Sequence, residues 1–166
     1  MDEDGKFGFK APNLRRSYQS GKTVASILGE SFPNTILLAL VSIAFAFVVG
    51  VTLGSLAAIY SDTWLEKAIL LLTSFGMSLP SFFAAILIAW FFAFVLADYT
   101  GLSMFGSLYS VDDFGNGEYI DLKNLILPAL TLGIRPLSVI CELTKSTMKE
   151  VLQQDYIRTA KAKGLS

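Results

Sequence analysis

Two long stretches of this chain contain no charged residue. The first runs from Ser31 to Ser61 and the second from Ala68 to Ala97. About 20 consecutive apolar residues are enough for a helix to cross a bilayer, and each stretch exceeds that length. Inside a bilayer every backbone polar group must be bonded within the protein, which favours α-helices. The chain is therefore predicted to be an all-α, polytopic helical membrane protein with spans at about residues 35–60 and 68–97.

A third apolar segment is less regular. Residues 124–147 are predicted to form the third span. Its interruptions are Pro128, Gly133 and Pro136, and Arg135 lies near its centre. A charge within a span is costly and usually faces a bundle interior or a water-filled cavity, so Arg135 is a candidate lining residue for a solute path. The alternative is a shifted span in which Arg135 reaches a lipid headgroup or pairs with an acid.

Composition excludes several classes of site. Charged residues make up 16% of the chain, below the value of about 25% that is usual in soluble domains. The sequence contains no His and a single Cys, Cys141, which excludes a His-based triad, a Cys/His zinc site and an internal disulfide. No paired carboxylates or nucleophile–base set lies within the spans. We therefore predict no enzyme activity, metal or cofactor, and the balanced charge gives no indication of nucleic acid.

Small residues recur at every fourth position in the first two spans. The first stripe is Ser42, Ala46, Gly50, Gly54 and Ala58, and the second is Ser81, Ala85, Ala89, Ala93 and Ala97. Such stripes let another helix approach closely, and Gly50 with Gly54 forms a GxxxG pair. Gly50, Gly54, Ala85 and Ala89 are therefore predicted helix-packing residues. Pro80, in the second span, is predicted to kink its helix and to shape the solute path.

The N-terminal 30 residues are polar. Thr23–Phe32 has apolar residues at helical spacing and is predicted to be a short interfacial helix that Pro33 ends. The run Gly21-Lys22-Thr23 does not form a phosphate-binding loop, because Arg16 stands where the first glycine of that motif is needed.

The loop at residues 98–123 is polar, and its charged residues are acidic except for Lys123. A loop of this length is often functional, so it either contacts a soluble partner or is a solvated cap. After the third span, Glu142 and Lys145 are three residues apart and can pair on one helix face.

The end of the chain carries a short helix whose limits can be read from its sequence. Asp155 is suited to the N-cap, and Lys161 and Lys163 occupy the last turn, where cations complement the helix dipole. Gly164 is suited to the C′ position, which favours positive φ. A helix of about two turns is too short to be stable alone in water, so residues 155–164 must be held by the rest of the protein or by a partner.

This segment resembles the cytoplasmic coupling segment of ABC importer permeases, and more narrowly that of the oligopeptide, dipeptide and nickel permease family. The broad superfamily has Glu-Ala-Ala, three residues and Gly, of which this chain keeps Ala160 and Gly164. The remaining matches are Ser31 to Thr35, Pro80 to Phe82, and Ile126 to Leu132. The resemblance implies that the coupling helix docks on a cytoplasmic ATPase. The residues implied in coupling are Asp155, Tyr156, Arg158, Thr159, Ala160, Lys161, Lys163 and Gly164.

The same resemblance implies a setting for the chain. Lys and Arg are divided evenly between the two sides of the predicted spans, so charge alone does not orient them. A cytoplasmic coupling helix would make residues 1–30 and the 98–123 loop extracytoplasmic. The implied location is a multi-pass position in the lipid bilayer of a bacterial inner membrane. The implied partners are a second permease subunit, two cytoplasmic ATPase subunits and an extracytoplasmic solute-binding protein.

Two hypotheses follow. In the first, residues 31–166 form a transmembrane permease domain within a longer chain, because related permeases have one span before this region and two after it. In the alternative, the chain is a self-contained three-span membrane scaffold or a small homo-oligomeric channel, assembled through its small-residue stripes. Co-purification of an ATPase would favour the first hypothesis, and stable homo-oligomers without one would favour the second.

Overall fold

The computed structural model describes residues 14–111 and 118–164. Within them the protein is almost entirely helical, which confirms the predicted all-α class. The helices are α1 (Val24–Ile59), α2 (Trp64–Ser78), α3 (Ser81–Trp90), a π-helical turn (Phe91–Val95), α4 (Ala97–Thr100), α5 (Lys123–Leu152) and α6 (Asp155–Ala162). Between α4 and α5, strands β1 (Tyr109–Val111) and β2 (Glu118–Ile120) pair antiparallel, with Tyr109 opposite Ile120.

The chain divides into two compact units, Met1–Ile36 and Leu37–Ser166. In the first unit, Arg16 and Thr23 form an isolated antiparallel β-bridge. The Thr23 hydroxyl accepts a hydrogen bond from the Ser26 amide at 3.3 Å where helix α1 begins. Lys22 pairs with Glu30 at 3.1 Å across the first turns of α1. Residues 1–13 of the predicted polar segment, 112–117 of the loop and 165–166 lie outside the described residues.

Helix α1 passes through Pro33 without a break, so the predicted end of a short helix at this residue is wrong. Proline removes one backbone hydrogen bond and brings its ring towards the carbonyl four residues earlier, which here belongs to Gly29. The long apolar run that follows supplies many helical turns, and the loss of one bond does not end them.

Helices α2 and α3 are separate, because the chain breaks at Leu79 and Pro80 and turns by 117°. A residue that precedes proline is disfavoured in the helical region, and Leu79 is extended with ψ 134°. The Pro80 carbonyl then accepts from the amides of Phe83 and Ala84 at 3.0 Å and starts α3. The single kinked span predicted for residues 68–97 is therefore a bent pair of helices.

By length and composition, α1 and α5 are long and apolar enough to cross a membrane. The bent pair formed by α2 with α3 and the π-helical turn raises this number to three if it is one span. The third predicted span, at residues 124–147, lies within α5, which continues through Pro128 and Pro136 to Leu152.

Helix α5 is the element on which the second unit packs. Along α1, Ser42 lies against Gly133, Gly50 against Leu137, and Gly54 against Cys141. The residue numbers rise together in these three contacts, so the two helices run parallel. Helix α2 runs the opposite way along α5, since Glu66 contacts Lys145 while Gly76 contacts Ser138. The buried cluster where the three helices meet is Ala57, Ile69 and Cys141, with Leu53 and Leu56 packed against it.

Candidate coupling helix and interhelical cleft

Helix α6 follows α5 after the two residues Gln153 and Gln154. The Gln154 carbonyl accepts hydrogen bonds from the amides of Ile157 at 3.0 Å and Arg158 at 3.2 Å, which closes the first turn. The helix thus begins at Asp155 itself, and Gln154 occupies the capping position that the sequence assigned to Asp155. The Asp155 carboxylate lies in the first turn, where a negative charge suits the helix dipole.

The other end of α6 stops at a glycine with left-handed backbone. Gly164 has φ +84°, a conformation that residues with a side chain adopt at a cost. The Lys163 amide donates to the Thr159 carbonyl at 3.1 Å in the turn before it. This geometry is the C-terminal arrangement expected for Gly164 from the sequence.

Most of the side chains of α6 are exposed. The exposed members are Asp155, Tyr156, Arg158, Thr159 and Ala162, whereas Ile157 and Ala160 are half-buried. Lys163, directly after the helix, is exposed as well. The side chain of Lys161 lies outside the described residues. Tyr156 is 58% exposed although most of its surface is an aromatic ring. Arg158 and Asp155 approach only to 4.0 Å, and both side chains are mostly exposed. The helix therefore presents a mostly polar surface and the ring of Tyr156, and the described part of the chain leaves both largely exposed.

The last half of α5, which carries α6, is held by close helix contacts. A Cβ added at Gly54 would lie 2.5 Å from the Cys141 carbonyl oxygen, and one at Gly50 would lie 2.9 Å from the Leu137 carbonyl oxygen. Both distances are too short for a real side chain, so the two glycines allow the backbone of α1 to approach the backbone of α5 closely. All five residues of the first small-residue stripe are buried, and Ala57 beside them is buried as well.

Three of the five residues of the second stripe line an open cleft. Ala85 and Ala89 are half-buried on α3, while the buried alanine of this helix is their neighbour Ala84. The cleft has a volume of about 410 Å³. Its lining comes from α1, α3, α5 and the loop after α4, and includes Ser81, Ala85, Ala89, Asn124, Leu127 and Thr131. It is an apolar cleft in which Ser81, Asn124 and Thr131 supply polar groups.

The two residues predicted to line a solute path are not brought together at this cleft. Pro80 is exposed and does not line the cleft, although the next residue, Ser81, does. Arg135 is exposed on α5 and does not line the cleft either. The structure therefore contains a cleft that sequence reasoning missed, because its walls come from segments that are distant in sequence.

The sequence analysis also did not predict an ion pair between α2 and α5. The Lys145 ammonium lies 2.5 Å from the Glu66 carboxylate of α2, with side chains 17% and 10% exposed. The sequence had offered Glu142 as the partner of Lys145, but Glu142 is exposed on the same helix. The available signal was an acidic residue, Glu66, just before the second apolar stretch, and nothing local indicated its distance from Lys145.

Comparison with known proteins agrees with this architecture. The family model of the binding-protein-dependent transport system inner membrane component matches residues 50–166. The chain is 34% identical over 155 residues to the dipeptide transport system permease protein of Bacillus subtilis (strain 168), covering 93% of this chain and 44% of the relative. It is 32% identical over 166 residues to the protein of the same name from Haemophilus influenzae, covering 90% and 49%.

A di/tripeptide transport system permease protein of Pseudomonas aeruginosa is 33% identical over 151 residues, covering 81% of this chain and 44% of the relative. The chain thus spans about half the length of the curated relatives it matches. The family match covers α5 and α6 together with the last ten residues of α1, which include Gly50 and Gly54. These matches confirm the resemblance carried by the coupling segment, and the chain belongs to the family of binding-protein-dependent transport system inner membrane components.

Proposed function

We propose that this chain forms part of the membrane-spanning subunit of an ATP-driven importer in a bacterial inner membrane. Peptides or similar small solutes are the proposed cargo, and the names of the related permeases support that class. The partners are a second permease subunit, two cytoplasmic ATPase subunits and an extracytoplasmic solute-binding protein. In this arrangement α6 faces the cytoplasm, and residues 1–30 and the loop after α3 face the other side.

The single observation that carries the proposal is the contrast between α6 and the helix it follows. Helix α6 is short, closed at Gly164, and largely exposed, with an aromatic ring at Tyr156 that the described chain leaves uncovered. Helix α5 before it is packed against α1 and α2. A short rigid helix on a well-held lever transmits a displacement, whereas a flexible loop would absorb it. Closure of the ATPase pair would move α6, and α5 would carry that movement into the membrane domain.

Docking of α6 is tested by changing Tyr156 in the complete importer. Tyrosine is one of the residues that most often dominate an interface, and loss of such an anchor weakens binding by about 30-fold or more. We expect Tyr156→Asp to abolish co-purification of the ATPase and transport-coupled ATP hydrolysis. Tyr156→Phe is the matched control and should retain both, because it keeps the ring.

The thermal stability of the permease should be similar in both variants, since more than half of the Tyr156 side chain is exposed. Unchanged ATPase binding and coupled hydrolysis in Tyr156→Asp would contradict the docking assignment.

We further propose that Arg135 and the break at Pro80 border the solute path. Arg135 is an exposed cation in the middle of α5, and its charge makes a lipid-facing position costly. In a Cys141→Ala background, Arg135→Cys should react readily with a charged, polar thiol reagent. The parent sequence is the control, because the one cysteine within these 166 residues, Cys141, is 0% exposed and should not react. If the thiol introduced by Arg135→Cys does not react with the reagent, the proposed position of Arg135 beside the solute path is wrong.

A further inference from the structure

Of the ion pairs in the described part of the chain, the one between Glu66 and Lys145 is the least exposed. The pairs Lys22–Glu30 and Arg158–Asp155 have side chains that are more than half exposed. The Glu66 and Lys145 side chains are 10% and 17% exposed, and their charged atoms are 2.5 Å apart. An ion pair with so little solvent around it is screened little by salt and holds its partners in a defined geometry.

The second oxygen of Glu66 is used as well. Glu66 Oε2 accepts a hydrogen bond from the Asp62 amide at 2.5 Å. Asp62 lies in the turn between α1 and α2 and has φ +65°, a strained conformation for a residue with a side chain. One carboxylate therefore fixes this turn with one oxygen and binds α5 with the other.

The position of Lys145 on α5 gives this contact its significance. Lys145 precedes Asp155 by about ten residues, or roughly 15 Å along a helical path. A groove of about 730 Å³ runs beside α5, and Lys145 lines it together with Leu70, Lys149 and Gln153 among others. The next described ion pair along the chain is the one within α6 itself. The Glu66–Lys145 pair is thus the last described ion pair between α5 and its neighbours before α6 begins.

We propose that Glu66 and Lys145 are positioning residues that make the α1–α2 turn and the end of α5 move as one body. The inference rests on the proposed function, because it concerns how a displacement of α6 is passed on. With the pair in place, a force on α6 moves α5 together with α2 and reaches the break at Pro80. Without it, the end of α5 is free to pivot on the contacts nearer the middle of the helix.

The choice of variant follows from the physics of poorly solvated charges. Removing one partner leaves the other charge unpaired, which is strongly destabilising, whereas removing both charges is often tolerated. Glu66→Gln keeps a carbonyl oxygen for the Asp62 amide, and Lys145→Met keeps the aliphatic stem. The double variant Glu66→Gln/Lys145→Met therefore loses the electrostatic link while preserving the turn and the packing.

The experiment compares this double variant with the parent in the complete importer, reconstituted in proteoliposomes with its ATPase and solute-binding protein. We expect the ATPase to remain bound. The stimulation of ATP hydrolysis by solute-loaded binding protein should fall about tenfold, the scale of one lost charge-assisted contact. Tyr156→Asp should instead lose ATPase binding itself, so failure of the proposed function and failure of this inference give different results.

A rescue separates positioning from folding. Cysteines placed at positions 66 and 145 in a Cys141→Ala background should restore most of the stimulation when a bifunctional thiol reagent bridges them, and not when they are left unbridged. Full stimulation in the double variant would overturn the proposal. Loss of assembly in the double variant would also overturn it, because the pair would then be a folding contact.

Discussion

Helices α5 and α6 are neighbours in sequence, yet they differ in what holds them. The contact face of α5 is covered by α1 and α2, and its residues Gly133, Ser138 and Cys141 are buried. None of the described side chains of α6 is fully buried, and the charged atoms of its described ion pair are 4.0 Å apart. The first helix is specified by the rest of this chain. The second is well formed at both ends but leaves its surface open to another molecule.

The difference lies in the type of residue as well as in burial. Where α5 meets α1 and α2, glycines and small polar residues let the helices approach closely. Dispersion and close packing drive association there, because lipid is as apolar as the side chains. On α6 the exposed side chains include Tyr156 and Arg158, two residue types that are enriched in protein interfaces. Substitutions should therefore have large effects on stability in α5 contacts and small effects in α6.

The largest expected effect is at Gly54. A methyl group there would lie 2.5 Å from the Cys141 carbonyl oxygen, so the two helix backbones must move apart. We expect Gly54→Ala to lower the free energy of unfolding by about 1–3 kcal/mol, the usual cost of overpacking. Thermal unfolding of the purified protein in detergent micelles measures the change.

Gly29→Ala is the matched control, because Gly29 lies on the same helix and an added Cβ would meet nothing within 4 Å. There the substitution should stabilise the protein by up to about 1 kcal/mol through helix propensity. Changes of equal sign and size at the two positions would show that the α1–α5 contact is not as close as described.

The smallest expected effect is at Arg158. Its nearest carboxylate, that of Asp155, is 4.0 Å away, and both side chains are mostly in water. Exposed ion pairs contribute little to stability. We expect Arg158→Ala to leave the melting temperature unchanged within error, while any effect on the importer appears in its affinity for the ATPase. A clear loss of thermal stability would mean that α6 packs on the chain more firmly than its exposure indicates.

Much of this architecture could be predicted from the sequence. The uncharged runs gave the helical class, the fourfold recurrence of small residues matched the buried stripe of α1, and Gly164 has the predicted positive φ. These features depend on composition or on residues within a few positions of one another. The start of α6 was off by one residue, because a carboxylate in the first turn and one at the cap give similar sequence signals.

Prolines were the less reliable guide. Pro33, Pro128 and Pro136 lie inside continuous helices, whereas Pro80 separates two helices that meet at 117°. Each removes one backbone hydrogen bond, so local chemistry does not distinguish them. Whether a proline ends its helix depends on how the turns on either side of it pack. At Pro80, α2 and α3 pack separately on the surface of α5.

The sequence by itself determined that the chain is helical and apolar, that small residues form a buried stripe along α1, and that a short helix follows the last long one. These properties follow from hydropathy, periodicity and capping, which act over a few residues. Only the tertiary structure decided that Lys145 pairs with Glu66 and not with Glu142, and that α3, α5 and the loop enclose a cleft. Both depend on helices that are distant in sequence, and the contact that forms is the one that the packing of α2 along α5 brings within reach.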